Sequence, residues 1–300
     1  MRDILNTGAT PGRISTGDWH ISGARGASLY CRFWEIENPR AILFIVHGVG
    51  EHGGRYDYIA RHFCRLGFNC YAIDHRGHGM SEGPRWNVEK FDYLVEDLHN
   101  FVRSVKAEKP ALAKNCFMLG HSLGGEIALK YNIVHPCEIK ALVASGPSVG
   151  LVGYSAGKLK FLVSILRVLS VVAPGLKMAP PIDPLALNHD KANVDAYASD
   201  PLVCHHGTKA RMALAIGSNA LWLNRSASLL KTPCLVLQGG DDSIVDPEAV
   251  GKFFGKMGSA DKKFIKYGRF YHEILSEPQG FEGGKGRVLK DVDGWLLARV

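Results

Sequence analysis

Apolar residues fall into two patterns that take turns along the chain. Short continuous apolar runs occupy residues 41–46, 68–73, 116–119, 139–144 and 234–237. Between them lie stretches with helical spacing. Residues 55–66 place Tyr58, Ile59, His62, Phe63 and Leu66 on one side and stop at Gly67. Residues 91–105 align Phe91, Leu94, Val95, Leu98, Phe101, Val102 and Val105, the stripe of an amphipathic helix. A further helix is predicted over 124–134, ended by Pro136. Residues 27–36 alternate instead, are rich in aromatics, and read as a strand. Strands that are apolar throughout, separated by helices, must be buried on both faces. That predicts an α/β protein with a mainly parallel sheet and helices on both sides.

Residues 150–230 break this rhythm. They hold a long apolar helical pattern, a proline-rich stretch over 179–184 and further helical patterns. They are expected to form an inserted helical cap over the carboxyl edge of the sheet, where open α/β sheets bind ligands. The expected division is a core of residues 1–149 and 231–300 and a cap of 150–230. No period of 20–50 residues repeats, which argues against solenoids and propellers.

The cap pattern at residues 158–173, KLKFLVSILRVLSVVA, sets Lys160, Ser164 and Arg167 on one thin face and apolar residues over the rest. It is too short to span a bilayer. Two roles fit it: peripheral contact in a membrane interface, or packing on the sheet domain as the lining of an acyl pocket. Residues 151–230 carry eight bases against four acids, a charge that an anionic interface attracts.

Composition narrows the class. With 46% apolar and 22% charged residues the chain is globular rather than disordered or fibrous. Its net charge of +7 is spread without long basic runs, which argues against nucleic acid as a partner. Seven cysteines, odd in number and without C-x-x-C spacing, argue against a disulfide framework or a zinc cluster. Cys204-His205-His206 is a poor metal site, because adjacent histidines diverge on regular backbone. The first residues lack the apolar core of a signal peptide, and no segment is apolar enough to span. The expectation is a cytoplasmic protein, with peripheral membrane contact through the cap; the oligomeric state is unread.

The chemistry is concentrated at three strand ends. Gly120-His121-Ser122-Leu123-Gly124 follows an apolar strand and opens a helix, the setting in which a G-x-S-x-G turn exposes a nucleophilic serine. Alone the motif is weak; its position makes it specific. A serine needs a base, and the base an orienting acid. His272 is the only histidine after residue 206 and follows the apolar run 264–267. The acid lies in Gly240-Asp241-Asp242-Ser243, and the pattern leaves Asp241 and Asp242 both open, the other being a turn aspartate. At the end of the strand 41–46, His47-Gly48-Val49-Gly50 offers the N–H of Val49 which, with that of Leu123, would form an oxyanion hole. The loop lacks the lysine and spacing of a phosphate-binding loop. No cofactor or metal is required.

With these residues placed, the sequence resembles the monoacylglycerol lipase and lysophospholipase family of α/β-hydrolases over nearly its whole length. Residues 47–56 are similar to an HGxGEHxGRY block, residues 74–83 to DxRGHGxSxG, residues 120–125 to GHSxGG, and residues 235–246 to an acid loop of the form L-Q-G-x-x-D. The resemblance implies Ser122 as nucleophile, Asp242 rather than Asp241 as acid, His272 as base, and Val49 and Leu123 as oxyanion donors. It implies that Glu51 and Arg55 line the polar end of the pocket; a helix-opening ion pair between them is the simpler role, and the two are compatible. Cys204 is expected near the pocket as a free thiol. The chain departs from the pattern at Glu126, where the family has a small or apolar residue. The implied reaction is hydrolysis of a lipid ester, monoacylglycerol foremost; a lysophospholipase, a short-chain carboxylesterase and a non-catalytic binding protein on the same fold are the alternatives.

Overall fold

A computed structural model describes residues 13–300. Eight strands form one sheet in the order β1-β2-β4-β3-β5-β6-β7-β8. They are β1 (Ser15–Ser22), β2 (Ser28–Glu35), β3 (Ala41–Val46), β4 (Phe68–Ile73), β5 (Cys116–His121), β6 (Ala141–Ser145), β7 (Cys234–Gly239) and β8 (Lys262–Tyr267). From β4 to β8 all neighbours are parallel; β1 and β2 are antiparallel to their neighbours. Every residue of β3, β4, β5, β6 and β7 is buried, in keeping with their largely apolar composition. Alternate side chains point to opposite cores. Ile42, Phe44 and Val46 pack with the helices α2 (Phe91–Glu108) and α3 (Leu123–Val134). Ala41, Leu43 and Ile45 pack with α1 (Asp57–Arg65) and α8 (Gly284–Leu297).

The sequence pattern misses β1, whose residues alternate between exposed and half-buried at the sheet edge. It also runs the first helix too far back: residues 53–56 form a 3₁₀ turn, so Arg55 precedes α1 rather than opening it. The helix α7 (Pro247–Lys256) follows β7 and covers the α2–α3 side.

Between β6 and β7 the chain forms α4 (Ala156–Val172), α5 (Lys191–Ser199) and α6 (Ala210–Ser226). Helix α4 begins at Ser155, whose Oγ accepts the Lys158 N–H. It carries two apolar stripes. Leu159, Val163 and Leu166 are buried, and the first two pack with Ala220 of α6. The second stripe, at the same helical spacing, faces solvent: Phe161 is 70% exposed, Val168 63% and Val172 71%. No helix among the described residues is long and apolar enough to cross a membrane.

Candidate active site

Ser122 sits at the end of β5 with φ 53° and ψ −119°, a conformation side-chain-bearing residues rarely adopt. The turn is held from both sides. The Ser122 N–H donates to Ser145 O at 2.9 Å, and Ser122 O accepts from Glu126 N and Ser148 N. Gly124 explains the motif's second glycine: a Cβ there would lie 2.0 Å from Val46 O at the end of β3. That close approach brings the β3 loop alongside the serine. A Cβ on Gly48 would sit 3.2 Å from Ser122 Cβ. Among the described residues the N–H groups of Val49 and Leu123 donate to no protein acceptor. Both are therefore available on the two sides of this junction.

His272 and Asp242 meet across the ends of β7 and β8. His272 Nδ1 lies 2.7 Å from Asp242 Oδ2, and both side chains are buried. The carboxylate also accepts Gln238 Nε2 at 2.9 Å and the N–H groups of Ile244 and Val245, each at 2.9 Å. An acceptor-only carboxylate at Nδ1 places a proton on that nitrogen and leaves Nε2 as the site for a second one. Burial opposes a charge on His272, but the Asp242 carboxylate and its hydrogen bond outweigh it and hold the imidazole pKa above its ordinary 6.5. Burial likewise pushes Asp242 up, and the His272 charge with the two backbone donors brings it below its ordinary value. Asp241 does not reach His272; its N–H donates to Phe270 O and its side chain is exposed. Between the two aspartates left open by the sequence pattern, only Asp242 touches the histidine.

Ser122 and His272 face one small space of about 10 Å³. Val49 and Gly48 line it from the core, and Ile182, Leu187 and Tyr197 line it from the segment between β6 and β7. The serine hydroxyl is paired at 3.4 Å with Ser148 Oγ, a long O–H···O contact. His121, whose ring centroid is 4.8 Å from that of His272, is lowered to about 4 by burial and by repulsion from His272, so it is neutral at neutral pH.

Beside this space opens a polar cavity of about 260 Å³, lined among others by Glu51, Arg55, Asn193, Asp200 and Glu273. Glu51 and Arg55 both line the cavity and pair at 2.6 Å, ahead of α1 rather than at its opening. The other Glu51 oxygen accepts the Gly48 N–H at 2.5 Å and the Tyr56 hydroxyl at 2.7 Å. Glu51 therefore fixes the loop that carries the Val49 N–H, and burial, which alone would raise its pKa, is overcome by Arg55 and these donors. The sequence pattern does not reveal Glu273, whose carboxylate holds Arg55 by two bonds at 2.7 and 3.1 Å. Its one local signal is its place next to His272. Cys204 lies close by, its N–H donating to Gly50 O; all seven cysteines are unpaired thiols.

Two of the blocks that carry the family resemblance, residues 47–56 and 74–83, also act as supports. Asp74 accepts the N–H groups of Gly53 and Met80 and pairs with Arg32, while Arg76 grips Asp97 by two bonds of 2.6 Å. His47 Nε2 accepts the His75 N–H at 2.9 Å, so its Nδ1 donates to Gly48 O. Glu126, the departure on α3, is fully buried; its Oε1 accepts Asn219 Nδ2 of α6 at 2.9 Å, and its Oε2 has no partner. Burial pushes its pKa well above the carboxylate range.

A strand-to-helix serine elbow on a largely parallel sheet, with a histidine and an acid delivered by later strand ends, defines an α/β-hydrolase. The chain belongs to the α/β-hydrolase family described as "Serine aminopeptidase, S33", which it matches over residues 37–279, and its relatives there include monoglyceride lipases. It is 33% identical to the monoglyceride lipase of Rattus norvegicus, covering 100% of this chain and 97% of that one. It is 36% identical to the monoglyceride lipase of Homo sapiens, over 94% and 90%. The structure of a soluble variant of Saccharomyces cerevisiae monoglyceride lipase, in complex with a substrate analog, superposes with a TM-score of 0.80 at 25% identity, covering 99% of this chain and 98% of that one.

Proposed function

We propose that this hydrolase cleaves a monoacylglycerol to glycerol and a free fatty acid through an acyl-enzyme on Ser122. The observation that carries the mechanism is the buried His272–Asp242 pair, whose histidine faces the same small space as Ser122. The substrate reading draws on the monoglyceride lipases among its relatives and on the polar side chains that line the adjoining cavity.

In this mechanism the Ser122 hydroxyl turns from Ser148 toward His272 Nε2, gives it the proton and attacks the ester carbonyl. The oxyanion rests on the N–H groups of Val49 and Leu123; one such donor supplies about 3–4 kcal/mol of transition-state stabilisation. Asp242 stabilises the imidazolium and keeps its tautomer. The proton then passes from Nε2 to the departing glycerol oxygen as the ester bond breaks. Water, deprotonated by the same nitrogen, attacks the acyl-enzyme, and Nε2 returns that proton to Ser122 Oγ as the acyl bond breaks and the fatty acid leaves. A space of about 10 Å³ holds no acyl chain, so substrate entry requires Ile182, Leu187 and Tyr197 to move aside.

Residues 150–230 act in this account as a cap, distinct from the core of 1–149 and 231–300. The exposed stripe Phe161, Val168, Val172 lays α4 on a lipid surface, from which the substrate enters. Seven unpaired thiols fit a reducing, cytoplasmic setting. A lysophospholipase is the second reading, favoured by the excess of bases in residues 151–230.

Fatty-acid release from 2-oleoylglycerol and from chain-matched lysophosphatidylcholine, with Ser122→Ala as blank, separates the two. Preference for the neutral glyceride is expected. Preference for the phospholipid would keep the mechanism and overturn the substrate.

A further inference from the structure

Among the described residues Arg55 is the one guanidinium lining the polar cavity, and on its own it would suit a phosphate-bearing alcohol. Its surroundings prevent that. Both Nη1 hydrogens are taken, one by Glu51 Oε2 at 2.6 Å and one by Glu273 Oε1 at 2.7 Å; Nη2 gives one more to Glu273 Oε2 at 3.1 Å. The Tyr197 ring covers a face of the group at 4.8 Å. Three carboxylates, Glu51, Asp200 and Glu273, thus line a cavity with a single guanidinium. His52 shares Asp200 at 2.8 Å, and His121 is neutral. Glu273 is itself held in place. Ser276 Oγ donates to Glu273 Oε2, the Glu273 N–H donates to Leu187 O, and Asn188 Nδ2 donates to Glu273 O, so the residue bridges the base-bearing loop to the segment over Ser122.

We propose that Glu273 sets the headgroup selectivity of the site. By occupying Arg55 and leaving the cavity with an excess of negative charge, it admits an ester whose alcohol part is neutral and hydroxylated and turns away one whose alcohol part carries a phosphomonoester. The remaining N–H groups of Arg55, on Nε and Nη2, suffice for a hydroxyl but cannot offset the repulsion that a dianionic phosphate meets from three carboxylates. This rests on the proposed function, in which the alcohol part of the ester occupies this cavity.

The test measures kcat/KM of wild type and Glu273→Gln in mixed micelles of fixed composition. The substrates are 2-oleoylglycerol, oleoyl lysophosphatidic acid, and p-nitrophenyl acetate, which has no glycerol part. Wild type is expected to favour the neutral glyceride over the phosphomonoester by about a hundredfold or more. Glu273→Gln keeps one acceptor for Arg55 but removes a charge, and is expected to shrink that ratio about tenfold or more, p-nitrophenyl acetate reporting separately any general loss of activity. The shift is expected mainly in KM for the phosphomonoester, which a merely structural role would not produce. An unchanged ratio in Glu273→Gln would overturn the inference with the substrate reading intact. A wild type that accepts both glycerolipids equally would overturn it even if the variant failed to fold. Cleavage of p-nitrophenyl acetate alone, with neither glycerolipid turned over, would sink the substrate reading and this inference with it.

Discussion

The elbow around Ser122 and the helix α4 are packed in opposite ways. At the elbow each neighbour is accounted for: Gly124 stands against Val46 O, Glu51 holds the Gly48 N–H, and four donors converge on Asp242. On α4 one apolar stripe packs on α6 while the other lies in water, with Phe161 70% exposed. The contrast separates two demands. Acyl transfer needs donors and a base fixed before the substrate arrives, so the core spends backbone strain at Ser122 and removes freedom everywhere around it. In the proposed function, collecting a lipid ester needs apolar surface that has not been used in folding, and the exposed stripe of α4 is such a surface.

The largest expected effect breaks the ordered side. Asp242→Asn removes the carboxylate that orients His272 and is expected to lower kcat by about 10³- to 10⁴-fold, while Asp241→Asn stays within about twofold of wild type, by steady-state ester hydrolysis. The acid limb sharpens the point. Catalysis requires neutral His272, and Asp242 holds its pKa above 6.5, so wild-type kcat/KM rises with pH through an inflection above 6.5. The residual activity of Asp242→Asn is expected to show that inflection at lower pH; an inflection that stayed in place would deny the electrostatic role.

A middle-sized effect is expected on the loose side. Replacing Phe161 and Val168 together by serine removes nothing from the buried core, since both are solvent-exposed, and is expected to leave p-nitrophenyl acetate hydrolysis unchanged. Binding to phospholipid vesicles in a sedimentation assay is expected to weaken about tenfold. Undiminished binding would remove α4 from the membrane account.

The smallest effect lies where the two regions join, at Glu126 on α3 and Asn219 on α6. A carboxyl whose pKa is raised in the folded state favours folding below its ordinary value of 4.5 and loses that advantage as pH rises toward the folded value. Glu126→Gln mimics the protonated acid at every pH. Its thermal midpoint is expected to exceed that of wild type by about 2–4 °C at pH 8, with the gap closing as pH falls to 4.5. A gap that does not vary with pH would show that Glu126 is not the titrating group.

Much of this was legible in the sequence because it is local. Continuous apolar runs mark the buried strands, and a G-x-S-x-G between strand and helix marks the elbow. His272 was legible by elimination, and the acid only as far as the pair Asp241 and Asp242 until the family resemblance chose one. What stayed hidden depends on partners far apart in the chain. Nothing near Glu273 says that it grips Arg55, and nothing near Glu126 announces Asn219. The edge strand β1 was missed because it is not buried on both faces and so lacks the continuous apolar signal. The two stripes of α4 read as a single apolar surface until α6 covered one of them.

The central claim is that Ser122 becomes covalently acylated with His272 as its base. The most direct measurement is labelling of the intact protein with a fluorophosphonate, followed by mass spectrometry of the modified peptide. The account predicts one adduct per chain on Ser122, absent in Ser122→Ala and formed far more slowly in His272→Ala. An adduct on another residue, or labelling that persists in Ser122→Ala together with ester hydrolysis, would contradict it.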